Sequence, residues 1–255
     1  MNNSIKNKTA IVTGAGQGIG FEICRQLVEA GAIVILNDID ADLAIQACNT
    51  LNESVVGKCI AVPGDSSDTG IIRQMISAAV AETGELNMVT ANSGVTLFGN
   101  FFDYPEESFR RVMQVNLAGS FFLTQQASLQ MKKQASGGSI VLMSSVTGHQ
   151  AHKDLAAYGM SKAALEMLAK NLVIELSQFN ININTVAPGA TLTERTLEDP
   201  GYEKIWSALT PMGRPASTAD IANTVVFLLS EKAKHITGQS IVIDGGWTSI
   251  SPSPF

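Results

Sequence analysis

Tyr158 and Lys162 stand four residues apart at the start of an apolar-periodic stretch, Ala156 to Leu176, so on a helix both side chains share one face. A free phenol ionises near pH ~10, too high for useful proton exchange at neutrality. An ammonium beside it favours the phenolate, and a tyrosine tuned in this way can serve as a general acid or base. Any helix can carry Tyr-x-x-x-Lys without that role, so the pair acquires meaning from its surroundings. Ser144 and Ser145 close a β-rich run upstream, and the loop that follows lets the Ser145 hydroxyl and the phenol converge. A hydroxyl there could hold a substrate oxygen while the tyrosine exchanges its proton, although a serine pair after a strand also suits a turn or a cap.

A second group of residues points to a dinucleotide. The first β-rich run leads into Thr13-Gly14-Ala15-Gly16-Gln17-Gly18-Ile19-Gly20, and a helical pattern follows, ending near Gly31. Glycines at this spacing let the backbone turn sharply and approach a ligand, and the amides at the helix start can hold a pyrophosphate. The strand before and the helix after are the context such a motif needs. Asp38 closes the second strand about 20 residues on, where an acid bonds the ribose hydroxyls of NAD and repels the extra phosphate of NADP. Ile39 follows it, and the glycine-rich turn holds no Lys or Arg. NAD is therefore expected over NADP, unless Asp38 or Asp40 simply caps the next helix. Asp65 and Ser66, after the third strand, could reach the adenine; Gly64-Asp65-Ser66-Ser67 is also an ordinary turn sequence.

These residues must be positioned by the elements around them. Strand-like runs cover 9–12, 33–37, 59–62, 88–91, 139–143, 181–186 and 240–243. Helical patterns cover 18–30, 40–51, 68–83, 105–132, 156–178 and 217–230. Alternation of this kind predicts right-handed βαβ units in one α/β domain over residues 1–255: a doubly wound parallel sheet of about seven strands with helices on both faces. From Thr191 to Gly213 the chain is polar, punctuated by Pro and Gly and weakly helical, as expected of a lid or binding loop inserted in the domain.

Hydrophobic residues make up 45% of the chain and charged residues 16%, a globular balance. The net charge of −6 argues against nucleic-acid or anionic-membrane partners, which favour a basic face. Cys24, Cys48 and Cys59 match no metal or redox spacing and read as reduced thiols of a cytoplasmic protein. Met1–Lys6 lacks the apolar segment of a signal peptide, and no apolar run approaches the ~20 residues of a membrane helix. His149, His152 and His235 have no ligand spacing, so no metal is expected.

Taken together, the Thr13–Gly20 turn, Asp65, Ala91-Asn92-Ser93-Gly94, Asn116, Ser145, Tyr158, Lys162, Pro188-Gly189 and Asp244-Gly245-Gly246 resemble the classical short-chain dehydrogenase/reductase family across essentially the whole chain. The resemblance implies a single Rossmann-like domain and a Ser145–Tyr158–Lys162 centre assisted by Asn116. Tyr158 would move the proton, Ser145 would orient the carbonyl or alcohol, and Lys162 would tune the phenol and hold the nicotinamide ribose. Asn116 would anchor a water linking the lysine to solvent, or simply kink a long helix. Gly14, Gln17, Gly18, Ile19, Gly20, Asp38, Asp65, Ser66, Asn92 and Gly94 would contact the cofactor. Pro188-Gly189 would pass under the nicotinamide, and Thr193 could bond its carboxamide. The family's Asn-Asn-Ala-Gly turn reads Ala91-Asn92-Ser93-Gly94 here, which keeps the second amide and the glycine.

The implied reaction is hydride transfer between NAD(H) and a small alcohol or carbonyl compound, a sugar or polyol among the candidates. An NADP-dependent 3-oxoacyl-thioester reductase acting on an acyl-carrier protein is an alternative, disfavoured by the lack of a basic cluster. A non-catalytic NAD-binding redox sensor is another, and intact Ser145, Tyr158 and Lys162 argue against it. His149 and His152 lie between Ser145 and Tyr158 and could line the substrate pocket. Tyr202 and Trp206 would share a helix face, either as an apolar lid or packed on the domain body. Phe98, Phe101 and Phe102 offer a further apolar lip. The long helices carry surplus apolar residues (Phe109, Val112, Phe121, Phe122, Leu165, Leu168, Leu172), which suggests subunit contacts, and the resemblance implies a homotetramer or homodimer.

Overall fold

Residues buried on both faces make the central strands of this protein. The computed structural model describes residues 5–53 and 56–251; of the segment Met1–Lys6, residues 1–4 lie outside them. In chain order the elements are β1 (Thr9–Thr13), α1 (Gly18–Glu29), β2 (Ile33–Asn37), α2 (Ala41–Asn52), β3 (Lys58–Ala61), α3 (Thr69–Thr83), β4 (Met88–Ala91), α4 (Glu106–Val112), α5 (Ser120–Met131), β5 (Gly138–Met143), α6 (Ala156–Leu176), β6 (Ile181–Pro188), α7 (Glu194–Leu197), α8 (Tyr202–Leu209), α9 (Thr218–Leu229) and β7 (Ser240–Ile243). The strands form one parallel sheet in the order β3-β2-β1-β4-β5-β6-β7. β1, β4 and β5 are buried at every position, whereas the edge strands β3 and β7 are partly exposed.

Register sorts the apolar residues into two cores. Ile11 pairs with Ile35 and Val89, Val89 with Ile140, and Ile140 with Ile183, so one row crosses the sheet on a single face. That face is covered by α3, α5 and α6 through Ile72, Met75, Leu123 and Leu165. The alternate residues, Val12, Val34 and Leu36 among them, face α1 and α9, which contribute Ile23, Leu27, Val225 and Leu228. Helices on both faces with a strand order that reverses between β1 and β4 give a Rossmann-like sheet, with a crevice at the C-terminal ends of those two strands.

Three local expectations are corrected. The helix expected over 105–132 is α4 and α5 joined by a π-helical segment, Met113–Gly119. Its cause is Asn116, fully buried, whose amide binds the Val95 main chain on both sides and so draws the turn open. Val112 and Leu165, read as surplus surface residues, are core residues; Phe109, Phe121 and Phe122 stay exposed. The 191–213 segment, expected to be only weakly helical, holds two short helices, α7 and α8, the first of them started by a reciprocal capping box of Thr193 and Thr196.

Gly20 shows how tightly the first turn packs: a Cβ there would lie 2.4 Å from the Gly14 carbonyl oxygen and 2.7 Å from the Asn92 amide. Gly20→Ala is expected to cost about 1–3 kcal/mol, the usual penalty for overpacking. The midpoint of urea unfolding measures it.

Candidate active site

The glycine-rich turn is fastened across the crevice to the end of β4. The Asn92 side-chain amide donates to the Thr13 and Gly14 carbonyls at 3.0 and 2.8 Å, and the Asn92 backbone amide donates to Thr13 Oγ1 at 3.1 Å. Gly14 and Gly18 adopt φ +59° and +64°, which glycine reaches without strain. Gln17 at the α1 N-cap makes no side-chain capping bond, so the first-turn amides are left to a ligand. A Cβ on Gly14 would meet Ser93 Cα at 2.9 Å. The serine of the altered Ala91-Asn92-Ser93-Gly94 turn thus packs directly on the glycine turn.

A cavity of about 310 Å³ opens beside this turn, lined by Gly14, Gln17, Gly18, Ile19, Asp38, Asp65, Ser66, Asn92, Gly94 and Thr193 from the expected cofactor set. Gly20, Pro188 and Gly189 of the same set are not among its lining residues. Pro188 pairs with Ile243 at the end of β6, and the Gly189 amide donates to the Ile243 carbonyl at 2.8 Å. Asp38 accepts from the Gly16 amide at 2.9 Å and from the Asp40 amide at 3.2 Å, while Asp40 is the residue that caps α2. A glycine cradle, an uncapped helix start and an acid at the end of β2 fit a nicotinamide dinucleotide, with Asp38 at the ribose end.

Arg111, Val115, Glu194 and Arg195 also line the cavity and were missed in the sequence. Arg111 donates to Asp65 Oδ2 at 3.0 Å, and Asp65 Oδ1 accepts from the Ser67 amide and hydroxyl at 2.9 and 2.7 Å. Partial burial pushes the Asp65 carboxyl up, but the Ser67 bonds and the Arg111 guanidinium outweigh it and hold the group below the usual range. Arg111 and Val115 are spaced i,i+4, a faint signal that could have placed them on one face.

Lys162, Tyr158 and Asn116 are brought together near the end of β5, and Ser145 stands two residues beyond that strand. Lys162 is 3% exposed and donates from Nζ to the Met143 carbonyl at 2.7 Å, with Nζ 5.5 Å from the centroid of the Tyr158 ring. Burial pushes its ammonium down, and the Tyr158 charge opposes that. A Cβ on Gly94 would lie 3.3 Å from this Nζ and 3.4 Å from Asn116 Oδ1, so the cofactor cavity and the buried lysine share a wall. Asn116 Nδ2 also donates to Ser161 Oγ at 3.1 Å, and its carbonyl accepts from Ser120 Oγ. Ser145 Oγ accepts from the Thr147 amide at 3.3 Å, leaving its own proton free to donate. Tyr158 Oη has no partner among the described residues.

The remaining expected substrate residues lie elsewhere. Tyr202, Trp206 and Trp247 form an aromatic row with centroids 6.1 and 5.3 Å apart, which packs α8 against the turn after β7. Thr193, which lines the cofactor cavity, is also the N-cap of the α7 capping box. His149 lines a separate cavity of about 590 Å³ with His152 and Phe101. Phe98, Phe101 and Phe102 are exposed.

Comparison with known proteins identifies the family. A family model described as enoyl-(acyl carrier protein) reductase matches residues 14–248. The chain is 34% identical to an L-rhamnose 1-dehydrogenase (NAD(P)(+)) of Sphingomonas sp. (strain SKA58), covering 95% of this chain and 96% of that one. It is 33% identical to the enzyme of the same name from Azotobacter vinelandii, over 94% and 96%. A crystal structure of a short-chain type dehydrogenase/reductase from Mycobacterium marinum superposes with a TM-score of 0.90 at 30% identity, covering 96% of this chain and 97% of that one. The chain belongs to the short-chain dehydrogenase/reductase family, oxidoreductases that use NAD(P).

Replacing Arg111 by Ala removes the guanidinium from Asp65. The Asp65 carboxyl is then expected to titrate at higher pH than in the parent protein, read from its carboxyl carbon by NMR.

Proposed function

We propose that this protein is an NAD-preferring sugar dehydrogenase that oxidises the C1 hydroxyl of L-rhamnose or a closely similar aldose. The observation that carries the reaction is the buried Lys162 ammonium beside Tyr158, behind the wall of a glycine-built dinucleotide cavity. Bound nicotinamide supplies the hydride acceptor. Ser145 Oγ donates to the sugar oxygen and fixes it toward Tyr158. Tyr158 Oη takes the hydroxyl proton as the C1 hydrogen leaves with its electron pair, and the product carries a carbonyl at C1. Lys162 supplies a positive charge that favours the phenolate in this step. Its two remaining N–H donors suit the ribose hydroxyls. Asn116 holds the π-helical turn against Val95 and Ser161, which keeps the wall behind Lys162 in place.

The substrate class rests on likeness to the two L-rhamnose 1-dehydrogenases over nearly the full length. Preference for NAD rests on Asp38, whose charge opposes a 2′-phosphate. The 191–213 segment serves as the substrate loop, with Tyr202 and Trp206 stiffening it rather than lining the pocket. Three unpaired cysteines suit a reducing compartment such as the cytoplasm. Among the described residues, no helix is long and apolar enough to cross a membrane. The exposed Phe121, Leu129, Met167 and Ile174 of α5 and α6 form the faces through which a homotetramer would assemble, and light scattering on the pure protein is expected to give four times the 27.0 kDa chain mass.

An absorbance screen at 340 nm with NAD and NADP, across aldoses, secondary alcohols and 3-hydroxyacyl thioesters, tests the proposal. Turnover of L-rhamnose with NAD ahead of NADP is expected; turnover of thioesters with silent aldoses would replace it with an acyl reductase. Tyr158→Phe is expected to lower kcat by about 10²–10⁴-fold while NADH still binds, measured by fluorescence. Asp38→Ala is expected to narrow the preference for NAD, read as the ratio of kcat/KM for the two cofactors.

A further inference from the structure

Helix α6 carries a third polar residue in register with the first two: Tyr158, Lys162 and Glu166 recur every four positions along one face. Glu166 is mostly covered, its side chain 12% exposed, and its Oε1 receives two contacts from outside the helix. Ser144 Oγ donates to it at 2.6 Å, and His149 Nε2 lies 2.9 Å from the same oxygen. A hydroxyl has one proton, so the shorter contact takes it, and the 3.1 Å approach of Ser144 Oγ to the Lys162 carbonyl is secondary. Protonated at Nε2, the His149 ring donates to the carboxylate.

Ser144 and His149 are the two ends of the turn that contains Ser145. The turn presses on α6 closely enough that a Cβ on Gly148 would stand 3.0 Å from Glu166 Oε1 and 3.1 Å from the Ala163 amide. Ser145 follows Ser144 directly and opens the 146–148 turn in extended backbone (φ −164°, ψ 156°), so a tie at Ser144 fixes the point from which Ser145 projects. Ser144 is 4% exposed, and without the carboxylate its hydroxyl would keep only the longer bond to the Lys162 carbonyl at 3.1 Å.

We infer that Glu166 is a positioning residue for the reaction: one carboxylate oxygen ties both ends of the 144–149 turn to the helix bearing Tyr158 and Lys162, and thereby sets Ser145 against Tyr158. The inference rests on the proposed reaction for its catalytic consequence and on geometry alone for the tie. Charge-assisted bonds of this kind are the strong ones, and errors in placing a reacting group are costly. His149 accordingly acts as a fastener of the turn.

The test uses the full-length protein with Glu166→Ala, Glu166→Gln and His149→Ala. Hydrogen exchange read by mass spectrometry needs no substrate. Glu166→Ala is expected to speed exchange of the 144–149 amides by about tenfold, with α6 still protected. Glu166→Gln keeps an acceptor oxygen for both partners and is expected to stay within about twofold of the parent. His149→Ala, which leaves the helix and Ser144 intact, is expected to loosen only the far end of the turn. In kinetics with the best substrate of the screen, Glu166→Ala is expected to lower kcat by about 10- to 100-fold, with NADH affinity retained and Glu166→Gln largely restoring the rate. Unchanged exchange in both alanine variants would overturn the tie. Faster exchange with unchanged kcat would overturn its bearing on Ser145. Should the parent protein oxidise or reduce nothing in the screen, the proposed function fails, and exchange alone decides the tie.

Discussion

Burial of one ammonium constrains the catalytic end of this protein. Lys162 lies inside the C-terminal edge of the sheet, bonded to the Met143 carbonyl, where an uncompensated charge costs several kcal/mol. Three things must hold around it. β5 has to end at Met143 so that a main-chain carbonyl is available. Gly94 has to be a glycine, since a side chain would crowd Nζ. Asn116 has to pull the long helix into a π-helical turn to keep that glycine's loop, through Val95, in place. The fold thereby isolates the Lys162 charge from water.

The cofactor end is built on the opposite principle, leaving groups unsatisfied rather than satisfying them. The α1 N-terminus has no side-chain cap, and its glycines remove the side chains that would block approach. Asn92 holds this open turn by bonding the Thr13 and Gly14 carbonyls from the next strand. Asp65 and Arg111 line the same cavity as an ion pair braced by Ser67. The two ends meet at Gly94, which lines the dinucleotide cavity on one side and contacts the lysine on the other.

Much of this was legible in the sequence where the signal is local. The seven strands follow from short apolar runs, and β2, β4 and β7 match their expected limits at both ends. Where the sequence misled, a distant contact was responsible. The helical pattern over 105–132 ran unbroken, with Asn116 read as a residue that could kink it; the buried bonds of Asn116 to Val95 accompany a π-helical turn there. Val112 and Leu165 looked spare because the pattern cannot tell which of two helices covers a given stretch of sheet. Cys48 and Cys59, eleven residues apart and unremarkable in spacing, stand with sulfurs 2.7 Å apart because α2 folds back on β3.

The sequence by itself determined the parallel α/β sheet, the glycine turn and the Tyr158–Lys162 register. Each of these is set by spacing within one element or one strand–turn–helix unit, where geometry is fixed by the repeat of the backbone. Tertiary structure alone decided the partners that cross between units: Arg111 on Asp65, Ser93 on Gly14, and Glu166 between Ser144 and His149. Those pairings depend on strand order and on the depth at which each helix settles on the sheet, and no periodicity along the chain records either.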